Sequence, residues 1–419
     1  MTVSATSDEP ELKEYSHREV LEIMTGLLAA LFTALISTTV VATALPTIMG
    51  ALNGTQQQYT WVITSSLLMM TITTPIWGKM SDLFNKKMLI QLAIVLFVAG
   101  SVAAGFTHSV TLLMAARAVQ GVAMGGLIAL VQAVMGTIIA PRQRGRYTGY
   151  MGAVMAVATV AGPLLGGVLT DYLNWRWCFF VSVPLAVVAL GLLQWKLDLP
   201  TMRRKNVRFD YLGGVLLAIA AALPMLWVTF AGTEYDWISW QSFAFLIGFL
   251  VSATLLVRVE LRAAEPVLPI HVLRHKTAAL MTLGSIAVGV AMFGAGVFLT
   301  QYFQLGAGNS PTKAGLMTIP MIVTQMASAT IGGQIVSRTG RWKPVMMVGS
   351  VVMLIGLFGL GTISHETSYT LVAIYMALMG LGVGTLVQNI VLAVQNTVDV
   401  AEVGAASGAI AFFRSLGGA

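Results

Sequence analysis

The chain has 419 residues, 57% of them hydrophobic and only 10% charged, with a mean hydropathy of +0.81. Soluble domains carry about 25% charged residues, so this composition excludes a soluble fold and makes lipid the solvent. The net charge of +7 raises nucleic acid as a partner, but the basic residues sit in short segments between long apolar runs, and the single cysteine, Cys178, excludes an internal disulfide or a cysteine metal site.

Residues 1–22 are polar and rich in acids (Asp8, Glu9, Glu11, Glu14, Glu19, Glu22). They lack the basic-then-apolar order of a secretory signal and read as a cytoplasmic tail. A spanning helix needs about 20 mostly apolar residues. Such runs fall at 23–45, 57–77, 88–107, 109–139, 147–170, 177–195, 211–233, 237–257, 277–305, 314–337, 344–364 and 369–398, and a thirteenth begins near 403. The sequence therefore predicts an all-α polytopic membrane protein. With the N-terminus inside, 20 of the 24 Lys and Arg residues face the cytoplasm, and only Arg176 and Lys313 lie outside. That asymmetry follows the positive-inside rule and accounts for the basic charge through membrane lipids, with no nucleic acid.

The stretch Gly162-Pro163-Leu164-Leu165-Gly166-Gly167 lies inside the fifth run. An interior proline removes a helical hydrogen bond, and small residues let helices approach closely. The pattern predicts a kinked helix packed tightly on another. An internal repeat is also present. "GKMSDLFNKK" from Gly78 recurs loosely as "GQIVSRTGRWK" from Gly333, and "RAVQGVAMGG" from Arg117 has a weaker echo in "MALMGLGVG" from Met376. The offset exceeds six spans with their loops, so two extra helices stand between two six-helix halves, an arrangement of parallel repeats. The expected units are a tail at 1–22, a first bundle at 23–197, two linker spans at 198–265 and an incomplete second bundle at 266–419.

Other chemistry is absent from the pattern. No G-x-x-x-x-G-K-[ST] phosphate loop accompanies Gly78-Lys79, the histidines lie in loops or tails without zinc spacing, and "GLGVGT" at Gly380 follows no strand. No cofactor, metal or enzymatic role is expected.

Polar residues inside the runs are the candidate functional groups. Arg117 is a cation within the fourth span, costly there and a functional candidate for that reason; snorkelling to the outer surface is the plain alternative. No Asp or Glu lies between Glu22 and Asp82 to pair with it. Only Asp171 among the acids belongs to a span, at its outer end, where it either titrates or pairs with Arg176. Amides concentrate in spans 4, 9, 10 and 12, at Gln120, Gln132, Gln304, Gln325, Gln388 and Asn389 among others. Buried amides without partners are expensive, so they line a wet cavity or bond across helices. Asp82 can cap a helix start or face the positive end of a helix; a plain positive-inside loop is the alternative.

These motifs together resemble the major facilitator superfamily, and within it the 14-span drug:proton antiporters of actinobacterial type. The resemblance rests on "TTVVATALPTI" (Thr38–Ile48), "GKMSDLFNKK", "RAVQGVAMGG" and "GPLLGG", each in order and at its proper span, with "FFRSLGG" (Phe412–Gly418) similar to the start of the thirteenth span. It implies a monomeric multidrug efflux protein of the cell membrane that confers drug resistance by exchanging protons for amphipathic small molecules. It implies further that Gly78, Asp82, Lys86 and Lys87 form a conformational latch on the cytoplasmic side, that Arg117 and Asp171 serve proton coupling, and that Gly162, Pro163, Gly166 and Gly167 form the antiporter kink. Spans 1, 4, 9 and 12 would line the substrate cavity, with Ser37, Thr38, Trp61, Gln120, Gln132, Tyr302, Gln304, Gln325, Gln388 and Asn389 as its candidates. Ser37 stands where many relatives carry an aspartate. Two spans would follow the twelfth, so a truncated form is also expected. The alternatives are a lipid-like metabolite exporter or flippase with weak proton coupling, and an inactive truncated fragment.

Overall fold

The computed structural model describes residues 17–139, 141–197, 210–232, 234–263, 265–268, 270–309, 311–399 and 402–418; at some helical positions, among them Asp171 and Gln304, only the backbone is described. Fifteen α-helices are present among these residues: α1 (His17–Ala51), α2 (Gln56–Leu83), α3 (Lys86–Gly105), α4 (Val110–Ile138), α5 (Pro141–Tyr172), α6 (Trp177–Phe180), α7 (Ser182–Lys196), α8 (Tyr211–Phe230), α9 (Trp240–Glu260), α10 (Lys276–Gln301), α11 (Pro311–Met317), α12 (Ile319–Thr339), α13 (Trp342–Gly361), α14 (Tyr369–Gln395) and α15 (Val403–Gly418).

Local chemistry sets many of the boundaries. Thr55 and Gln58 form a reciprocal capping box at α2. The side chains of Asn85, Ser109, Asp210 and Ser239 accept first-turn amides at α3, α4, α8 and α9. The first helix starts at His17, inside the segment predicted as tail, and its first turns are held by Glu22, which pairs with Arg18 and, at 2.8 Å, with Lys196 of α7. Among the described residues, eleven stretches are long and apolar enough to cross a membrane. The second predicted span, α2, is long enough but falls short in hydropathy, because it carries Thr60, Thr64, Ser65, Ser66, Thr71, Thr73 and Thr74. The sixth span breaks between α6 and α7, the ninth ends in a π-helical turn (Tyr302–Gly306), and the tenth divides at Thr318, where Pro320 opens α12.

Two bundles form. In the first, α1 packs on α5 and α7, α2 on α4, and α3 on α4 and α7. Its core divides into a cluster around Leu27, Phe97, Leu130 and Tyr147 and another around Leu45, Val62, Leu113 and Phe179. In the second, α14 lies between α12 and α13 and also meets α10, which holds α15. The two extra helices α8 and α9 pack on each other, and α8 rests on α2. A shared apolar cluster fixes this attachment, with Ile72 of α2, Leu217 of α8, Leu256 of α9, Leu268 and Phe412 of α15 in one body. The bundles meet along α5 with α12 and α14, and along α2 and α4 with α15.

Close helix contacts in lipid depend on small residues rather than on a hydrophobic drive. At Gly121 of α4, an added Cβ would collide with the Ser66 carbonyl of α2, whereas at Gly191 of α7 it would meet nothing. Overpacking costs about 1–3 kcal/mol. Gly121→Val is therefore expected to lower the melting temperature in detergent clearly, while Gly191→Val leaves it near the parent value; equal melting of the two variants would contradict the tight α2–α4 seam.

Candidate functional site

The segment from Gly78 to Lys87 ends α2 and turns into α3. In the last turn of α2, the Asp82 side chain accepts two backbone amides of α15, from Gly404 at 3.0 Å and from Ala405 at 2.8 Å. The first amides of a helix have no partner within it and carry the positive end of its dipole, so a carboxylate is suited to this place. The contact requires backbones to touch. A Cβ on Gly78 would lie 2.7 Å from the Gly404 carbonyl, and one on Gly404 would collide with Ser81 and Asp82 and lie 2.6 Å from the Gly78 carbonyl. Burial pushes the Asp82 carboxyl up to about 7, against the two amides and the charges of Lys86 and Lys79, which pull it down.

The lysines of this segment point elsewhere. Lys79, buried, pairs with Glu265 in the connection after α9. Lys87 donates to the Gln194 carbonyl of α7 at 2.8 Å. Lys86 faces Asp82. Hence Gly78 and Asp82 join the bundles, Lys79 ties the extra helices on, and Lys87 stays within the first bundle. In the second copy of the repeat, Gln334, Ser337 and Arg338 line a cleft of about 340 Å³ with Tyr150 of α5. Serine in place of the acid leaves a polar opening there rather than a bridge.

Arg117 is only 3% exposed. It donates to Gln120 Oε1 at 2.9 Å and to Ser66 Oγ of α2 at 2.8 Å, while Gln120 donates to Ser101 Oγ of α3 at 2.8 Å. Its Nε is buried without a partner. The charge is thus held inside the first bundle by neutral oxygens, not at its outer surface. Ser37 of α1, fully buried, does not reach it, and the Ser37 hydroxyl is itself unpartnered.

Along α5 the helix continues through Pro163. Added Cβ atoms on Gly162 and Gly166 would collide with Thr39 and lie 2.8 Å from the Val40 carbonyl, and the Thr39 hydroxyl donates to the Ala158 carbonyl at 3.2 Å. Gly162 and Gly166 are therefore the face on which α1 rests. Gly167 is half-buried, and Pro163 turns toward Gly315 of α11, in the other bundle.

The predicted cavity residues do not form one set. Gln120 is enclosed against α3 by its bonds to Ser101 and Arg117. Trp61 stacks on Phe230 of α8, with ring centroids 4.9 Å apart. The Tyr302 hydroxyl donates at 2.8 Å to the Ser364 carbonyl in the α13–α14 connection. In these three the polar or aromatic groups are spent on neighbouring helices and loops. The Gln304 side chain lies outside the described residues. What remains is on α1, α4, α12 and α14. Thr38 bonds Ala34 and approaches Met124 Sδ at 3.6 Å, Gln388 approaches Met155 Sδ of α5 at 3.8 Å, and Gln325 is half-buried beside Gly384. Asn389 donates to the Thr385 carbonyl at 2.7 Å. Oxygens of Ser37, Gln132 and Asn389 are buried with no partner. Such orphans are costly in a closed protein and fit a place where water or a solute enters.

The Asp171 side chain is outside the described residues. Arg176, its candidate partner, donates to the carbonyls of Gly105 and Thr107 at 2.8 and 2.7 Å and lies over the Trp175 ring. Sequence reasoning missed the partners Ser66 and Ser101 and the acid Glu265. Single serines in a span carry no signal of direction.

Removing a charge-assisted hydrogen bond costs about 1.5–3 kcal/mol. Asp82→Ala is expected to raise hydrogen exchange at Gly404 and Ala405 by roughly tenfold or more; unchanged exchange would show that the α15 amides do not depend on Asp82.

A profile of the Major Facilitator Superfamily matches residues 27–419. An uncharacterized MFS-type transporter of Mycobacterium tuberculosis is 36% identical over 395 residues, 94% of this chain and 57% of its own length, so the chain spans little more than half of that relative. The multidrug transporter protein MdtP of Bacillus subtilis is 31% identical, with 94% of this chain and 73% of its own covered. The efflux pump FUS6 of Gibberella moniliformis is 30% identical, with 99% and 75% covered. Among solved structures, the human organic anion transporter MFSD10 superposes with a TM-score of 0.66 at 13% identity, over 95% of this chain and 92% of its own. The proton:xylose symporter XylE gives 0.64 at 16% identity, over 96% and 87%. These two likenesses speak for the fold alone. With its helices, its seams and its sequence in agreement, the chain is a multi-pass membrane protein and a member of the Major Facilitator Superfamily of transporters.

Proposed function

We propose that this protein exports hydrophobic or amphipathic organic molecules across the cell membrane in exchange for protons, by alternating access, with its N-terminus in the cytoplasm. The observation that carries the reading is the Asp82 bridge between the bundles. It is a polar contact made at one end of the molecule, built from groups that part without breaking either helix. Asp82, Gly78 and Gly404 act as the latch of the cytoplasmic side, and opening it turns the transporter inward. Relatives described as multidrug transporter and efflux pump support the direction of transport and the class of solute.

The solute meets α1, α4, α12 and α14, at Ser37, Thr38, Gln132, Gln325, Gln388 and Asn389. Hydroxyls, amides and methionines adapt to varied apolar molecules. Gly162, Pro163, Gly166 and Gly167 let α5 pivot on α1. Arg117 tunes the coupling, because a buried cation held by neutral groups lowers the proton affinity of acids near it. Asp171, at the outer end of α5, remains a proton-carrying candidate by position.

A second reading is favoured by one observation. Arg117 is bonded to Ser66 and Gln120 and Ser37 occupies the span 1 position, so the coupling acid implied by the resemblance is missing there. Export or flipping of a lipid-like metabolite with weak proton coupling fits this pattern.

In vesicles holding the full-length form, dye efflux driven by a pH gradient is expected to fall to background in Arg117→Ala. Efflux at the parent rate would remove Arg117 from the coupling. Transport by the parent protein that ignores the gradient would favour the second reading.

A further inference from the structure

The lower ends of the two extra helices bring two acids together. Asp210 caps α8: its Oδ1 accepts the Gly213 amide at 2.8 Å. Glu260 ends α9, is 3% exposed, and through Oε2 accepts the Leu268 amide at 3.2 Å. The other oxygen of each, Asp210 Oδ2 and Glu260 Oε1, is buried without a hydrogen-bond partner. A Cβ on Gly213 would collide with Asp210 Oδ2 and lie 2.8 Å from Glu260 Oε1, so the two orphans border one small space.

A carboxylate buried as Glu260 is does not ionise at low cost beside a second acid. Each orphan oxygen is an acceptor, and a pair of acceptors has no bond to make until one of them carries a hydrogen. One proton supplies that bond and removes one of the two negative charges. A metal ion is a poor occupant: no group of three or more ligating side chains gathers among the described residues, and the ammonium of Lys79 is close by.

We infer that Asp210 and Glu260 form a proton-binding site, holding one proton between Oδ2 and Oε1. Among the described residues, the groups near it are these. Lys79 comes from α2, already paired with Glu265. From the connection after α9 come the backbone amides of Val267 and Leu268. On α9 itself, Arg258 and the following Arg262 are exposed.

Lys79 links this site to the contact between the bundles. It lies between Gly78 and Asp82 in sequence, and its charge acts on both Glu260 and Asp82. Loss of the shared proton adds a negative charge beside Lys79, drawing the ammonium from Glu265 and altering the field at Asp82. The extra helices thereby report protonation to the place where the bundles join. The site itself does not depend on the proposed proton exchange; its use in coupling rests on that reading.

The test is infrared difference spectroscopy on the full-length protein in nanodiscs, titrated from mildly acid to alkaline conditions. In an Asp82→Asn background, which removes the other carboxyl raised to near neutrality, a protonated-carboxyl band is expected near neutral pH, lost on alkalinisation, and absent once Asp210→Asn or Glu260→Gln is added. Asparagine still caps a helix and glutamine keeps the size of glutamate, so both variants are built to fold. The proton bound to the folded pair contributes stability below the pair's titration and loses it as pH rises through it. The melting temperature of the parent is therefore expected to fall toward alkaline pH by more than that of either variant. A band that persists in both variants, or no such band with parallel melting curves, would overturn the site. Failure of dye export with the band intact would instead count against the transport reading.

Discussion

The arrangement depends on a carboxylate seated on the start of a helix in the opposite bundle. Asp82 supplies the carboxylate of that contact, with the charges of Lys86 and Lys79 acting on it, and Gly404 and Ala405 supply the amides. An exposed ion pair of long side chains contributes little. Here the donors are rigid backbone groups and the acceptor is short, so little conformational freedom is lost when the contact forms. The same economy makes the contact easy to undo, because α15 keeps its internal bonds when Asp82 withdraws. Gly78 and Gly404 are the condition for it, since any side chain at either position would hold the helices apart.

The two interfaces between the bundles differ in kind. The seam of α2 and α4 with α15 combines close backbones with a charge. The seam of α5 with α12 and α14 brings Gly149 and Gly152 against Thr330 and Ala329, with Gln388 against Met155. Small residues and soft sulfur atoms slide more readily than interlocked branched chains. On its other face α5 rests on α1 through Gly162 and Gly166. This helix thus touches both bundles through small residues.

Arg117 shows how a membrane protein keeps a charge without a counter-charge. Burial of a cation is costly, and two hydrogen bonds to neutral oxygens meet part of that cost. Gln120 relays the network to Ser101, so three helices, α2, α3 and α4, are fixed by one guanidinium. The attachment of α8 and α9 follows another logic. Apolar packing on α2 holds most of the contact, while Lys79 and Glu265 pin it at one end.

The helices were legible in the sequence because lipid forces every backbone group to bond within its own segment. Long apolar runs therefore map directly onto helices, and the repeat at Gly78 and Gly333 set out two bundles. Breaks at Val181 and Thr318 leave only a local signal, Pro184 and Pro320, inside apolar runs that otherwise read as single spans. Among the candidate groups, Asp82 could be assigned to a helix end from the sequence, but which helix could not. Arg117 could be recognised as a buried cation, but Ser66 and Gln120 as its partners could not, nor could the turning of Trp61, Gln120 and Tyr302 toward neighbouring elements. The pairing of Asp210 with Glu260 was equally hidden, for each reads alone as an acid at the membrane edge. The sequence determined the solvent, the helices and the repeat, because these follow from local hydropathy and spacing. Only the tertiary structure decided which side chains meet, because a helix presents its residues around a full turn and packing alone selects the face that is used.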